Sequence, residues 1–306
     1  MGKSNDTNAL KRRKNRKSPS CGKIMVFPQR SLLYRSINVS ILAANEAAEK
    51  AKSSNTRGIC FRQETAVNLG KTMIPVINGN ELSHDWTEHI YPSKFLMMCL
   101  NTIQNSLENV GALKIEDRPL FATAWGVEFW NCYSSRKDVL ETSGADSTRE
   151  QIAWMASAAA DTITRKENEG LSFNSPFHLF LVPSLDKAFE VRLVWKPLEA
   201  VGIYTLSLHS GTSIEKQIHR LKSCEPEFLV STPERLLDLH SLKAVDISEV
   251  SFLVIDGLEA PFEGSYYDAI KSIRQLISGN PQTVVFSDGT NNSSINMLQK
   301  LLGEPE

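Results

Sequence analysis

Two acidic residues close an apolar run late in the chain. Residues 251–260 read SFLVIDGLEA, so Asp256 directly follows large apolar side chains and Glu259 comes one short turn later. An apolar run of this kind, ended by a residue next to glycine, is typical of a buried strand. Carboxylates at such a strand end can hold a magnesium ion and activate water. The segment therefore indicates either a hydrolytic site or the remains of one.

Polar residues end the other apolar runs as well. From about residue 120, helix-like segments alternate with the strand-like runs FHLFLVPS, GIYTLSLHSG, EFLVSTPE and TVVFSDGT. This alternation predicts an α/β domain whose parallel sheet is covered by helices on both faces. Ligands bind such sheets at the carboxyl ends of the strands. We expect one edge to gather the strand-end residues Pro183, His209, Ser231, Asp256 and Ser287.

Five segments at these strand ends follow one another in a characteristic order. They read VPSLDKA, LHSGTSIEKQ, STPERLLDL, DGLE and VVFSDGT. In that order they resemble the Pro-Thr-Arg, glycine, Thr-Pro-Gly-Arg, Asp-Glu-Ala-Asp and Ser-Ala-Thr elements of the DEAD-box RNA helicases. The resemblance implies the first RecA-like lobe of that family, a P-loop NTPase-type fold, over residues 91–306.

The resemblance places a phosphate loop at the segment ETSGADST. Gly144 and Thr148 match the family pattern Ala-x-Thr-Gly-Ser-Gly-Lys-Thr, but Asp146 replaces the second glycine and Ser147 replaces the lysine. Such a loop binds phosphate through backbone N–H groups and one ammonium, so both changes weaken it. Arg149 is one residue late, about 100° away around a helix, and we expect it not to compensate.

The acidic motif has lost a member too. In the family the first acid holds magnesium through water and the second orients the attacking water. Asp256 keeps the first role, whereas Gly257 stands at the second and has no side chain to act as a base. We therefore predict no catalytic residue and no metal centre, but a vestigial nucleotide and magnesium site formed by Gly144, Thr148, Asp256, Glu259 and Ser287.

The resemblance also implies RNA contacts at Pro183, Gly211, Thr232 and Arg235. Two changes weaken this implication, because Leu185 stands where the family has arginine and Glu234 adds negative charge. Thr232 followed by proline fits an ordinary helix start equally well, with threonine as the N-cap and proline in the first turn. Both interpretations of this segment remain open at the level of sequence.

Charge is unevenly distributed along the 306 residues. The first 20 hold seven Lys or Arg and one Asp, so a chain with net charge -1 has a body of net charge -7. An acidic body attracts a polyanion weakly. The run KRRKNRK predicts nuclear import or RNA contact within a disordered basic tail at 1–22. Residues 23–90 form a poorly defined extension.

Other features exclude some functional classes. No apolar run approaches membrane-spanning length, no secretory signal is evident, and the five cysteines fit no zinc or disulfide spacing. We expect a non-catalytic scaffold without cofactor. It would bind RNA or a ribonucleoprotein weakly, with protein partners, in the nucleus or nucleolus, in RNA processing or ribosome biogenesis. The alternative is an ATP-dependent RNA helicase requiring ATP and Mg²⁺. Because the last motif lies close to Glu306, we expect no second lobe.

Overall fold

The computed structural model describes residues 60–62, 92–113, 124–144, 146–171, 176–258 and 265–287. The predicted tail at 1–22, most of the 23–90 extension and Glu259 lie outside the described residues.

A seven-stranded sheet, parallel throughout, forms the centre of the described part. The strands run in the spatial order β1-β2-β7-β6-β3-β5-β4. Their bounds are Cys60–Arg62 (β1), Val139–Glu141 (β2), His178–Leu181 (β3), Thr205–Leu208 (β4), Phe228–Ser231 (β5), Phe252–Ile255 (β6) and Gln282–Phe286 (β7). Every residue of β2 to β6 is buried, as expected for strands covered on both faces.

Helices cover both faces of this sheet. They are Lys94–Asn109 (α1), Ala124–Ser134 (α2), Arg149–Asn168 (α3), Leu185–Trp195 (α4), Ile214–Cys224 (α5), Pro233–Ser241 (α6) and Ser265–Leu276 (α7). Alternate strand residues point to opposite faces. Accordingly Phe252 and Val254 join the core beneath α1 to α4, whereas Leu253 and Ile255 join the core beneath α5 to α7. The predicted RecA-like α/β architecture is confirmed.

Two local features differ from the sequence-based expectation. The segment LDKAFEVRLVWKPLEA was predicted as one helix, but α4 ends at Trp195 and a 3-10 helix continues over Lys196–Val201. Pro197 explains the change, because it donates no backbone hydrogen bond and clashes with the preceding turn. In addition, β1 pairs with β2 at the edge of the sheet, although it precedes the range predicted for the lobe.

The carboxyl edge of the sheet gathers the strand ends as expected. In the register of β6 and β7, Ile255 is level with Val285. Asp256 and Ser287 therefore lie at the ends of neighbouring strands, about 5 Å apart in sheet spacing. Pro183 is the second residue after the end of β3, and Thr232 is the first residue after the end of β5.

Candidate functional site

The segment that joins β2 to α3 corresponds to the predicted phosphate loop. Its last residue, Thr148, is the N-cap of α3: its hydroxyl accepts a hydrogen bond from the Gln151 N–H at 3.3 Å, and the Gln151 side chain accepts one from the Thr148 N–H at 2.7 Å. This reciprocal pairing satisfies two N–H groups at the helix start. At Gly144 an added Cβ would come no closer than 3.9 Å to its neighbours, so the loop does not require glycine there.

Ser147 binds Asp256, the first acid of the DGLE segment, directly. Its backbone N–H donates to Asp256 Oδ1 at 2.8 Å, and its hydroxyl donates to Asp256 Oδ2 at 2.6 Å. Asp256 is fully buried. In a working phosphate loop, backbone N–H groups are directed at a bound anion. Here a carboxylate of the protein itself receives one of them.

Lys187 brings a cation to this pair from α4. Its ammonium lies 3.7 Å from Asp256 Oδ2 and also donates to the backbone carbonyl of Ser147. A third contact, at 2.9 Å, joins it to Glu190. The Lys187 side chain is only 10% exposed. We call Ser147, Asp256 and Lys187 the closed cluster, since each member is satisfied by the others.

Arg149 takes no part in the closed cluster. Its guanidinium lies 3.1 Å from Glu190 and donates to the backbone carbonyl of Ala112. The expectation that it does not replace the lost lysine therefore agrees with its position. The cation that does approach, Lys187, was missed by sequence reasoning because it belongs to another motif segment and reaches the loop only through the packing of α4 on α3.

Burial dominates the electrostatics of Asp256. Desolvation raises the pKa of this carboxyl above its usual value, although the Lys187 ammonium and the two hydrogen bonds from Ser147 act in the opposite direction. The negative charge of Asp146 adds to the increase. The carboxyl is thus a tightly held internal group rather than one presented to a ligand.

Gly257 leaves no room for a base. Its φ of +67° lies in the left-handed region, and an added Cβ would lie 3.0 Å from Pro183 Cγ and 3.4 Å from Asp146 Oδ1. A residue with a side chain is strained in such a backbone conformation. The position that would orient the attacking water is therefore empty of side chain and is also closed by Pro183.

The remaining predicted site residues are only partly assembled. Ser287 is buried and its N–H donates to the Glu141 carbonyl at 3.0 Å, which extends the pairing between β7 and β2. Glu259 lies outside the described residues. No group of three His, Cys, Asp or Glu side chains suited to a metal occurs within the described ranges. Because both Asp256 oxygens are engaged by Ser147, these residues do not fit a magnesium–nucleotide complex in this arrangement.

The four predicted RNA-contact residues lie along the same edge. Thr232 is the N-cap of α6 and Pro233 occupies its first turn, but the Thr232 hydroxyl accepts no capping hydrogen bond. The helix-start interpretation is therefore correct for the backbone and leaves the hydroxyl uncommitted to the helix. Pro183 packs beside Gly257, and an added Cβ at Gly211 would lie 3.1 Å from the His209 ring.

An aromatic side chain and two arginines surround His209. The ring of Phe189, 53% exposed, packs on the imidazole with ring centres 5.1 Å apart. Burial lowers the pKa of His209, and the positive charges of Arg235 and Arg220 lower it further. We call these four residues the aromatic–arginine patch. Sequence reasoning found Arg235 and His209 but had no signal for Phe189 or Arg220, which are ordinary helix residues until the fold brings them together.

The described residues contain no helix that could span a membrane.

Comparison with known proteins identifies the domain. The DEAD/DEAH box helicase family profile matches residues 152–297, so the match begins just beyond the altered loop.

Three curated relatives are similar over parts of the chain. A probable ATP-dependent RNA helicase ddx42 of Dictyostelium discoideum is 33% identical over 37% of this chain and 12% of its own length. The DEAD-box ATP-dependent RNA helicase CshA of Streptococcus pneumoniae is 36% identical over 28% of this chain and 16% of its own. The DEAD-box ATP-dependent RNA helicase 24 of Arabidopsis thaliana is 27% identical over 50% and 20%.

These matches span a fifth or less of each of the three relatives' own length. The family profile match includes the β3 to β7 region, whose strand ends carry the motif-like segments. Residues 152–297 of this chain thus form a DEAD/DEAH box helicase domain.

Proposed function

We propose that the protein is a non-catalytic helicase-like scaffold that binds RNA or a ribonucleoprotein. The closed cluster carries this proposal. The loop N–H of Ser147 is donated to Asp256, and Lys187 balances the same carboxylate. Phosphate would have to displace a buried carboxylate from its donors. With glycine at 257, the site also lacks the side chain that would activate water, a loss of roughly 10²–10⁴-fold in rate.

Nucleotide turnover on the purified protein tests the non-catalytic part. We expect no ATP hydrolysis above background with or without RNA, and no saturable ATP binding at micromolar concentration. Asp256→Asn is the matched variant, because it keeps the shape of the side chain and removes the acid. RNA-stimulated hydrolysis at ordinary enzyme rates, abolished in Asp256→Asn, would overturn the proposal.

The alternative function is an ATP-dependent RNA helicase with a divergent nucleotide site. Lys187 is the observation that supports it, since its ammonium contacts the loop carbonyl of Ser147 and could serve there as a counter-charge in place of the lost lysine. Micromolar ATP affinity that falls at least about tenfold in Lys187→Gln, the loss expected for one charge-assisted contact, would favour this alternative over the scaffold.

The aromatic–arginine patch supports the RNA-binding part. Exposed aromatic rings stack on single-stranded bases, and arginines contact phosphates. Phe189, Arg220 and Arg235 offer both kinds of group within one edge of the sheet. The acidic body keeps long-range attraction small, so we expect weak binding with a shallow salt dependence.

Fluorescence anisotropy with a labelled single-stranded oligouridine tests this part. Phe189→Ala should weaken binding about tenfold, the loss of one stacked base. Lys271→Gln, an exposed position on α7 outside the patch, is the control and should bind as wild type. Equal affinity of Phe189→Ala and wild type would remove the patch from the proposal.

We further propose that the basic run at residues 11–17 directs the protein to the nucleus. The support is its density of charge, seven basic residues within the first 20. Alanine at the basic positions of that run in a fluorescent fusion should shift the protein to the cytoplasm. Unchanged nuclear retention would show that the run is not the import signal.

A further inference from the structure

A cleft opens at the amino edge of the sheet, opposite the closed cluster. It lies where β3, β6 and β7 begin and where α2 and α3 end, and its volume is about 800 Å³. Small-molecule sites commonly measure roughly 300–1,000 Å³. None of the motif-like segments contributes to this amino-edge cleft, so the family resemblance assigns it no role.

Three cations line the amino-edge cleft: Arg136, Arg165 and Lys166. Arg165 is held by the buried carboxylate of Asp161 at 3.2 Å. Arg136 and Lys166 differ, because neither forms an ion pair within the described part of the chain. Two cations therefore enter the cleft without a neutralising contact.

The positive charges in the cleft are crowded. Burial lowers the pKa of Lys166, and the nearby charge of Arg136 lowers it further, while Glu169 opposes the change. The Lys166 ammonium lies 5.2 Å above the ring of Phe177, a contact that favours the cation but adds no negative charge. An anion in the cleft would relieve this repulsion.

Neutral donors complete the lining. Six serines border the cleft, at positions 93, 134, 135, 248, 251 and 278, and the hydroxyls of Ser93, Ser134 and Ser251 already donate within the protein. Trp130 also borders it, and its buried indole N–H has no hydrogen-bond partner among the residues that the structure describes. One exposed acid, Glu249, opposes an anion at the rim. Guanidinium, ammonium and hydroxyl donors around one hollow are the groups that recognise phosphate oxygens.

We propose that the amino-edge cleft binds an oligophosphate, held chiefly by Arg136 and Lys166. An oligophosphate can contact two separate cations and several hydroxyl groups at once. A ligand with a single carboxylate can contact only part of this lining. A hollow rather than a stripe of cations favours a small ligand over a nucleic-acid strand. The phosphates belong either to a free oligophosphate or to a nucleotide, and both share the recognised chemistry.

Titration calorimetry with inorganic tripolyphosphate tests the proposal on the full chain. We expect saturable one-site binding that weakens at least about tenfold in Arg136→Asn and in Lys166→Gln, since each removes one charge-assisted contact. Asn tolerates the positive φ of 52° at Arg136, so that variant should fold. Lys216→Gln, exposed on α5 near the carboxyl edge, is the control and should bind as wild type.

Amide chemical shifts of the wild-type protein locate the ligand independently of any variant. Shifts at Ser135, Ser248 and Gly279 support the cleft, whereas shifts confined to Ser143 and Gly144 place the phosphate on the loop and overturn the proposal. A second titration with ADP identifies the source: tighter binding than tripolyphosphate indicates a nucleotide, and equal or weaker binding a free oligophosphate. No saturable binding of either probe, or equal affinity for a polyglutamate peptide, would also overturn it.

Discussion

The closed cluster at the carboxyl edge of the sheet and the cleft at its amino edge differ in whether their charged groups are paired. At the carboxyl edge, the closed cluster joins the buried Asp256 carboxylate to the N–H and hydroxyl of Ser147 and to the Lys187 ammonium. Each of these groups therefore has a partner within the cluster. At the amino edge, Arg136 and Lys166 crowd one cleft without an ion pair in the described ranges. The closed cluster, at the edge that carries the family motifs, is internally satisfied, whereas the cleft at the edge without motifs retains unbalanced charge.

This difference separates ancestry from present chemistry. Fold and motif position identify the family, but a ligand binds where donors or charges still lack partners. Asp256 occupies a family motif position and is engaged by Ser147, while Lys166 lies outside the motif segments and forms no ion pair with any described residue. The comparison predicts that substitutions at the two edges differ in cost, and four variants test this from the largest effect to the smallest.

Restoring an acid at Gly257 should cost the most. Gly257→Glu places a side chain at a φ of +67° and a Cβ 3.0 Å from Pro183 Cγ. Left-handed strain and overpacking together should lower the free energy of unfolding by roughly 2–5 kcal/mol. Urea unfolding measures the loss. Gly144→Ala is the matched control, with space around its Cβ and little expected change. We also expect no ATPase activity in Gly257→Glu.

Removing the cation from the closed cluster comes next. Lys187→Met leaves the buried Asp256 without its counter-charge, at a cost of roughly 2–3 kcal/mol in unfolding free energy. The double variant Lys187→Met with Asp256→Asn should recover most of this loss, because the uncompensated charge is gone. A double-mutant cycle by urea unfolding measures the coupling. Purely additive losses would contradict a direct interaction between the two side chains.

A third test uses pH. Because folding raises the pKa of Asp256, the folded state keeps its proton to higher pH than the unfolded chain does. Wild-type stability should therefore fall as pH rises above the unfolded value near 3.8 towards the raised folded value. Asp256→Asn lacks this proton and should gain on wild type across the same window. Unfolding free energies at pH 4, 5.5 and 7 test the difference. A constant gap between the two proteins would contradict it.

The smallest effect is expected at the amino edge. Arg136→Asn removes an exposed cation that has no ion pair among the described residues, so stability should change by less than about 0.5 kcal/mol. Relief of the repulsion on Lys166 acts in the stabilising direction. A loss as large as that in Lys187→Met would remove the contrast between the two edges. Thermal unfolding of both variants side by side is the measurement.

Much of this fold could be predicted from the sequence because its strands are short runs of apolar residues. FLVI and TVVF appear as β6 and β7, and the helical period of residues 95–107 appears as α1, whose buried face holds Leu96, Leu100, Ile103 and Leu107. The position of Asp256 at a strand end followed from the same pattern. Backbone hydrogen bonding and burial dictate these features locally.

The chemistry of the site could not be predicted in the same way. Lys187 reaches Asp256 because α4 packs against α3. Residue spacing within one segment does not predict such a contact between segments. The amino-edge cleft combines the ends of two helices with the starts of three strands, so Arg136 meets the adjacent pair Arg165 and Lys166 only in the folded protein. The edge strand β1 was equally hidden, since three residues carry no periodicity.

The short strand β1 has a consequence for which strand forms the edge of the sheet. β1 covers the outer side of β2 along all three of its residues. Without it, β2 would present a row of unpaired N–H and C=O groups, a template on which a second chain can add a strand. A fragment that begins at residue 91, the limit indicated by sequence alone, would expose this template. Residues 60–62 therefore move the open edge of the described sheet from β2 to β1.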